Sequence, residues 1–551
     1  MSNIERRKFL GGALTAGAML LAPRRTQASD SKIEVLVDEP IGKISPDIYG
    51  HFTEHLGGVV YDGIWVGEDS KVPNLGGIRA ALVEHMRRIK PPVVRWPGGC
   101  FADSYNWRDG VGPRAQRPVR TNFWADNRAT DRYRSVNGGP QKYEPNHFGT
   151  NEFIRFCRLT GAKPYLAANV RSLSATDFYE WIEYCNSPGG STTLAKLRAS
   201  GGEAEPLGVR FWGVGNESWG CGGDFTPDEY AVEFRRFTAW VPRYGVDLAF
   251  IGSGPNGGDI EWTRRFFGKL VEKGIGQLNR LYGWALHYYC GTTGKGVATE
   301  FTVPEWYELL GKADRMESLI NDHWAVMGEI DTRRRVKLIV DEWGAWHERA
   351  ADMPETYLWA YPGTLRDALV AGLNLDTFNR HADKVLMANV AQLINTIHSL
   401  FLAHEDKFIV TPNFHVFEMY SAHQGGTSVR TLFSAPRVSY TVSANPNPNA
   451  SPSPNSLWGL QGSASLHEKE LVLTVVNPHH NQSRETEIAI RGGSIRSCRS
   501  RVLSAPDIHA HNSFANPRGL EPKDAEVNAS GPTLVYQFLP ASVTRLQMSL
   551  V

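Results

Sequence analysis

The sequence predicts an α/β fold: a (β/α)8 TIM barrel with an accessory antiparallel β-sandwich of jelly-roll type. Three observations carry that expectation. Eight short, almost continuously apolar runs lie between residues 48 and 403, each separated from the next by enough chain for a crossover helix, the pattern of parallel strands buried on both faces. After about Ala403 helical periodicity largely stops, and shorter alternating runs follow. The 551 residues, 41% of them hydrophobic, are too many for one ordinary domain and apolar enough for a large core.

Residues 1–28 are read as a signal segment outside the fold. Arg6-Arg7-Lys8-Phe9-Leu10 precedes a Gly/Ala-rich apolar run to about Ala22, and Thr26-Gln27-Ala28 supplies small residues for cleavage. The adjacent arginines give it a twin-arginine character, so the expectation is export to the periplasm or the extracellular space, with no stable membrane span after processing. A membrane anchor is the competing reading, but the run is broken by glycines and short for a bilayer. Residues 29–47 hold an early strand, Ile33–Val37, expected to join the sandwich.

Residues 48–403 are the expected catalytic barrel. Its candidate strands are Ile48–Phe52, Val93–Trp96, Pro164–Asn169, Phe211–Gly215, Leu248–Gly252, Tyr282–His287, Lys337–Val340 and Val385–Ala388. Helices are expected at Ile78–Ile89, Asn151–Thr160 and Thr226–Trp240. The last opens with Thr226-Pro227-Asp228-Glu229, which combines a hydroxyl cap, a proline at the first position and acidic residues at the positive end of the helix. Residues 404–551 form the expected sandwich domain, with strands at Ser428–Leu432, Glu470–Val476, Glu485–Arg491, Thr533–Phe538 and Ser542–Leu550. The polar Pro/Ser/Asn stretch at 445–455 reads as an exposed loop within it.

Charge excludes one class of partner. The chain carries 59 Lys/Arg against 58 Asp/Glu, and without residues 1–28 the balance is near −3. A nucleic-acid groove needs concentrated positive charge, which is absent, so no nucleic acid is expected. The six cysteines are far apart and contain no CxxC, so buried free thiols are the default; for Cys100 and Cys221, near strand ends facing one site, a disulfide stays open. His51 and His55 are four apart but outside any HExxH motif, and His381-Ala382-Asp383 falls short of a metal site. Neither a metal nor a cofactor is expected, and the Gly-Gly pairs form no phosphate-binding fingerprint.

Two segments carry the chemistry. Trp212-Gly213-Val214-Gly215-Asn216-Glu217 and Ile339-Val340-Asp341-Glu342-Trp343-Gly344 each read as a buried strand that ends where a carboxylate appears. Two carboxylates brought together at barrel strand ends suit glycosidic bond cleavage, in which one group holds a proton for the departing oxygen and the other is ionised to attack. Glu217 is the candidate acid/base and Glu342 the candidate nucleophile. Asn216 is placed to orient a sugar hydroxyl if the glycine-rich backbone bends. Trp343 and Trp346 are candidate pocket walls, with core packing the alternative. Other strand ends contribute Glu54, Arg95 as a charge partner for Glu342, the supporting His287, and Tyr289 and Gln392 as sugar contacts.

At these residues the sequence resembles the α-L-arabinofuranosidases of glycoside hydrolase family 51. The resemblance runs through Tyr49-Gly50-His51-Phe52-Thr53-Glu54-His55, Arg95-Trp96-Pro97-Gly98-Gly99-Cys100-Phe101-Ala102-Asp103, Gly215-Asn216-Glu217, Asp341-Glu342-Trp343, Asn379-Arg380-His381-Ala382-Asp383, Ala391-Gln392-Leu393-Ile394-Asn395 and Thr411-Pro412-Asn413-Phe414-His415. It implies hydrolysis of terminal non-reducing α-L-arabinofuranosyl groups, from oligosaccharides or polysaccharides, with retained configuration and no metal. By the same analogy Glu217 is the acid/base, Glu342 the nucleophile, and Glu54, Asn216, Tyr289 and Gln392 grip the sugar. Many members place an asparagine after the Pro-Gly-Gly turn; Cys100 stands there in this chain and is carried over as a sugar contact. The resemblance also implies a homo-oligomer. Rival readings are another retaining barrel hydrolase, such as a β-xylosidase or endoglucanase, and a non-catalytic carbohydrate-binding protein.

Overall fold

A computed structural model of the protein describes residues 31–124, 143–291, 296–442 and 453–551. The segment at 1–28 read as a signal, most of the 445–455 stretch and residues 125–142 lie outside the described residues. Among the described residues no helix is long and apolar enough to cross a membrane.

Strand β1 (Ser31–Lys43) comes first and does not belong to the barrel. The barrel strands follow: β2 (Gly50–Phe52), β3 (Val93–Trp96), β4 (Lys163–Ala168), β5 (Phe211–Val214), β6 (Ala249–Gly252), β7 (Gly283–Gly291), β8 (Lys337–Trp346) and β9 (Val385–Val390). They close a parallel eight-stranded barrel in chain order, β9 returning to β2. Helices α1 (Ala80–Ile89), α2 (Thr150–Thr160), α3 (Ala175–Asn186), α4 (Thr193–Ser200), α5 (Pro227–Phe237), α6 (Ile260–Leu270), α7 (Val303–Ile330) and α8 (Leu365–Arg380) lie between them. Helix α5 begins as the sequence indicates: the Thr226 hydroxyl accepts from the Glu229 backbone N–H while the Glu229 carboxylate accepts from that of Thr226.

The barrel is filled in layers. Val93, Tyr165, Phe211, Ala249, Ile251, Ala285, Ile339 and Met387 point inward and plug its lower half. A polar layer of Arg95, Asp341, Asn389 and the Tyr165 hydroxyl rests on this plug. The carboxylates stand above it, at the C-terminal rim.

Strands β7 and β8 run well beyond the expected Tyr282–His287 and Lys337–Val340. They stay paired past the rim, as far as Gly291 opposite Trp346. Glu342 therefore lies within a strand, not at its end. The register of β8 shifts between Val340 and Trp343, and that of β7 between Ala285 and His287. Such a bulge re-aims side chains. It lets Asp341 and Glu342, adjacent in sequence, both face the barrel interior.

Helix α9 (Pro412–Tyr420) packs on α1 and α8 and leads into the second domain. Its strands are β10 (Thr427–Ser434), β11 (Gln461–His467), β12 (Glu470–Asn477), β13 (Arg484–Arg491), β14 (Ile495–Ser504), β15 (Lys523–Val527), β16 (Thr533–Phe538) and β17 (Ser542–Leu550). The hydrogen-bonded order is β15-β14-β17-β12-β11-β10-β1-β13-β16. Ile488 of β13 and Met548 of β17 are far apart in this order yet share one apolar cluster, so the sheet curls over its own core as a sandwich. Every pairing is antiparallel except β1 with β13. Strand β1 enters from before the barrel, and no hairpin dictates its direction.

Helix α8 joins the two domains. Residues 365–379 are buried on every side. Such a helix must satisfy its polar groups internally. The Asp376 carboxylate accepts from Ser463 Oγ at 2.7 Å, Thr474 Oγ1 at 2.6 Å and Tyr420 OH at 2.8 Å.

Candidate active site

Consecutive residues reach the cavity where the backbone leaves ordinary strand geometry. Past β5, Gly215 has φ +84° and Glu217 has φ +40°, and this left-handed turn points both Asn216 and Glu217 into the barrel mouth. Asp103 holds the turn from behind, accepting the backbone N–H groups of Asn216 at 3.0 Å, Val170 at 2.8 Å and Arg171 at 3.1 Å. Burial drives its carboxyl up to about 7, against the pull of those donors.

Glu342 enters from the bulge in β8. Its Oε1 accepts from Arg95 Nη1 at 2.8 Å and its Oε2 from the Tyr289 hydroxyl at 2.7 Å. Arg95 is fully buried, lies over the Phe52 ring, and also bonds Asn216 Oδ1 at 2.5 Å, with Nε 3.4 Å from Asp341. Burial opposes ionisation of Glu342. The His287 and Arg95 charges and the two hydrogen bonds outweigh it, and the carboxyl is held below the usual glutamate value. His287 stands between the carboxylates, Nδ1 3.1 Å from Glu217 Oε1 and 3.5 Å from Glu342 Oε2. Burial disfavours its cation, but both carboxylates favour it, and the net shift is upward.

Carboxylate oxygens of Glu217 and Glu342 and the ring nitrogen of His287 all lie within 4.8 Å of one another. This is the close spacing of a retaining glycosidase; an inverting pair stands roughly 6.5–9.5 Å apart.

The cavity, with the open solvent at its mouth, spans about 390 Å³ and is lined by Glu54, Leu56, Gly99, Cys100, Trp124, Asn216, Glu217, Tyr289, Glu342, Trp346, Trp359, Gln392 and Ile397. Glu54 accepts from the Phe101 backbone N–H at 2.9 Å, Gln392 Nε2 at 3.1 Å and Trp124 Nε1 at 3.2 Å. Burial drives its carboxyl up to about 7, Glu342 adding to the effect while the donors resist it. Space is tight at the Pro-Gly-Gly turn: a Cβ at Gly99 would lie 3.0 Å from Glu342 Oε1. Cys100 and Cys221 are joined by a disulfide, Cα–Cα 5.5 Å, whereas Cys157, Cys185, Cys290 and Cys498 are free and buried.

Of the residues singled out in the sequence, Glu54, Cys100, Asn216, Glu217, Tyr289, Glu342 and Gln392 line this cavity, and Arg95 and His287 contact its carboxylates. Trp343 does not line it. The residue after an inward Glu342 points outward, and its indole packs on Phe378 and Phe417 between barrel and helices. Trp346 takes the wall position, with Trp359 edge-on to it at 4.8 Å. Trp359, Leu56 and Ile397 carried no signal in the sequence: Leu56 and Ile397 are apolar residues one and two positions past quoted motifs, with no chemistry to mark them, and Trp359 lies on a loop remote from the motifs. Asp103 sat within the Cys100-Phe101-Ala102-Asp103 motif, unread. His51 and His55 do not converge: His51 is buried near Phe417, and His55 lies between Glu144 at 2.8 Å and Trp96 Nε1 at 3.0 Å.

A closed parallel barrel presenting two carboxylates at this spacing on its C-terminal rim defines a retaining glycoside hydrolase. Comparison with known proteins narrows the class. The profile of the α-L-arabinofuranosidase 1 domain matches residues 85–275 and that of the α-L-arabinofuranosidase C-terminal domain residues 341–542. An intracellular exo-α-L-arabinofuranosidase of Bacteroides ovatus is 33% identical over 97% of this chain and 99% of its own. The GH51 arabinofuranosidase of Xanthomonas axonopodis pv. citri superposes with a TM-score of 0.84 at 32% identity, covering 94% of this chain and all of that one. The arabinose complex of the Thermotoga maritima enzyme superposes with a TM-score of 0.79 at 28% identity, over 94% of this chain and all of that one. The chain belongs to the family 51 α-L-arabinofuranosidases.

The relatives also correct one expectation. Those from Bacteroides ovatus, Bacillus subtilis and Acetivibrio thermocellus are named as intracellular enzymes, which overturns the export read from residues 1–28.

Proposed function

We propose that the protein is a retaining, exo-acting α-L-arabinofuranosidase that removes terminal non-reducing α-L-arabinofuranosyl groups by double displacement. One observation carries this reading: two carboxylates with oxygens within 4.8 Å share one cavity, and only Glu342 is clamped by a buried arginine. Membership of the family sets aside the β-xylosidase, endoglucanase and pure binding alternatives.

In the first step Glu342, held ionised by Arg95 and Tyr289, attacks the anomeric carbon while Glu217 protonates the leaving oxygen. In the second step Glu217, now ionised, takes a proton from water, which cleaves the glycosyl ester. His287, in contact with both carboxylates, keeps them oriented as the proton changes place. Glu54, Asn216, Tyr289 and Gln392 are assigned to the sugar hydroxyls, and Trp124, Trp346 and Trp359 to the apolar faces of the sugar and its aglycone.

The test is hydrolysis of a panel of aryl furanosides and pyranosides, with NMR detection of the first-formed anomer. The expected result is a clear preference for the α-L-arabinofuranoside and a product of retained configuration. Preference for a pyranoside, or first appearance of the inverted anomer, overturns the proposal.

A further inference from the structure

The disulfide lies against the proposed acid/base. Cys100 follows the Pro-Gly-Gly turn after β3, and Cys221 lies in the turn after β5 that also presents Glu217. Glu217 Oε2 is 3.7 Å from Cys221 Sγ and 4.0 Å from Cys100 Sγ. The two sulfurs and this carboxylate oxygen all fall within 4.8 Å of one another, all three residues are half-buried, and Cys100 and Glu217 line the open cavity. The geometry points to a reduction-gated metal site: once the disulfide is opened, Cys100, Cys221 and Glu217 bind a thiophilic divalent cation of the Zn²⁺ class, and the occupied enzyme is switched off.

The distances suit the ion. Tetrahedral Zn²⁺ with Zn–S near 2.3 Å and Zn–O near 2.1 Å sets S···S at about 3.8 Å and S···O at about 3.6 Å. The sulfur–carboxylate distances already approach the second value. Only the sulfurs must separate, which loss of the S–S bond permits, and the 5.5 Å Cα–Cα distance accommodates this by side-chain rotation. Two thiolates and a carboxylate leave the fourth position to water, facing the cavity. The disulfide form offers no such site, because its sulfurs are neutral and bonded to each other.

The chemistry balances. Two equivalents of a thiol reductant donate two electrons and two protons to the disulfide, giving two Cys thiols and the oxidised reductant. The cation then displaces both thiol protons and the proton held on Glu217, and forms two metal–sulfur bonds and one metal–oxygen bond. Bound to Glu217, it occupies the lone pair that must carry a proton to the leaving group, and it sits where the aglycone oxygen passes. Among the described residues, Glu217, His287 and Glu342 make the other cluster of donor groups within this span, and it lacks sulfur. The free cysteines are buried, and none of them lines the cavity.

The inhibition half of this inference rests on the proposed role of Glu217; the binding half does not. The test treats the parent protein with a phosphine reductant, removes it anaerobically, and titrates reduced and untreated protein with Cd²⁺. Thiolate-to-cadmium charge-transfer absorbance reports binding, proton release is measured alongside, and hydrolysis of an aryl arabinofuranoside is read at each point. The reduced protein is expected to bind one Cd²⁺ with release of the two thiol protons and of the proton held on Glu217, and to lose activity about tenfold or more as the band saturates; the disulfide form shows no band. In reduced Cys221→Ser, affinity falls by about 100-fold, while reduced Glu217→Gln keeps the band at weakened affinity. Equal binding by the two redox forms, or a parent-like affinity in Cys221→Ser, overturns the site. A saturated band with full activity overturns the switch. A parent that hydrolyses no arabinofuranoside refutes the proposed function and leaves the binding result readable.

Discussion

Arg95 and Glu342 are joined by a buried 2.8 Å hydrogen bond across the barrel, from the second strand to the seventh. The guanidinium is fully buried and spans Glu342, Asn216 and Asp341, fixing the charge of one carboxylate and the orientation of a neighbouring amide at once.

Replacing Arg95 by Lys keeps a charge but loses the planar fork. kcat/KM for an aryl arabinofuranoside is expected to fall by about 100-fold or more. Because Arg95 holds the Glu342 carboxyl down, the acidic limb of the kcat/KM profile is expected to move to higher pH. An unmoved limb would mean that Glu342 does not depend on Arg95 for its ionisation.

Removal of each carboxylate should leave a different signature. Glu217→Ala is expected to retain activity on substrates with activated leaving groups, and azide should restore turnover with a glycosyl azide of the substrate's configuration. Glu342→Ala should lose about four orders of magnitude or more on all substrates, and azide should yield the opposite anomer. Exchange of these two outcomes would reverse the assignment.

Gly99→Ala places a methyl group 3.0 Å from Glu342 Oε1 and 3.4 Å from the Phe52 ring. The carboxyl must move by a few tenths of an ångström, and misplacement at the reacting centre is expensive. Activity is expected to fall about tenfold or more with a change in thermal midpoint of no more than a few degrees. Parent-like kinetics would show that Glu342 has more room than its contacts indicate.

The contact between the domains makes stability depend on pH. Burial carries the Asp376 carboxyl up to about 7, against the pull of Thr474, Ser463 and Arg380. Between the ordinary aspartate range and that value the folded protein binds more protons than the unfolded chain, so this contribution is intact at low pH and is lost as pH rises through 7. Glu54 and Asp103, also raised to about 7, act in the same direction. Asp376→Asn is expected to cost about 1–3 kcal/mol at pH 5 through disrupted hydrogen bonds, and the gap to the parent should narrow by pH 8. Chemical unfolding at both pH values measures this; a gap that widens with pH overturns the account.

Much of the site was legible because parallel barrel strands are short apolar runs, and the polar residues just past them stand out. Glu54, Asn216, Glu217 and Gln392 were found that way. Glu342 was found for a partly wrong reason: the run Leu338–Val340 does end there, but the strand continues to Trp346, and a bulge rather than a strand end aims the carboxylate. Alternation alone would have sent either Asp341 or Glu342 outward, and periodicity gives no sign of the extra inward residue. The same bulge takes Trp343 out of the wall. In the second domain β11, β14 and β15 were missed. Lys523–Val527 is a charged edge strand with no buried face, and Ile495–Ser504 is rich in Arg and Ser, so neither offers an apolar alternation to read.

The position of β1 bears on how this chain is made. The strand lies between β10 and β13, partners that leave the ribosome roughly 400 residues later, which at about 5–20 residues per second is a wait of some 20–80 s. During that interval Ile33 and Val35 have no core to enter, and β10 and β13, once made, each lack a neighbour until β1 arrives. A nascent chain stalled short of β13 therefore presents an open sheet edge to its surroundings, and quality-control factors that recognise unpaired strands have their longest opportunity in this protein before its last seventy residues are made.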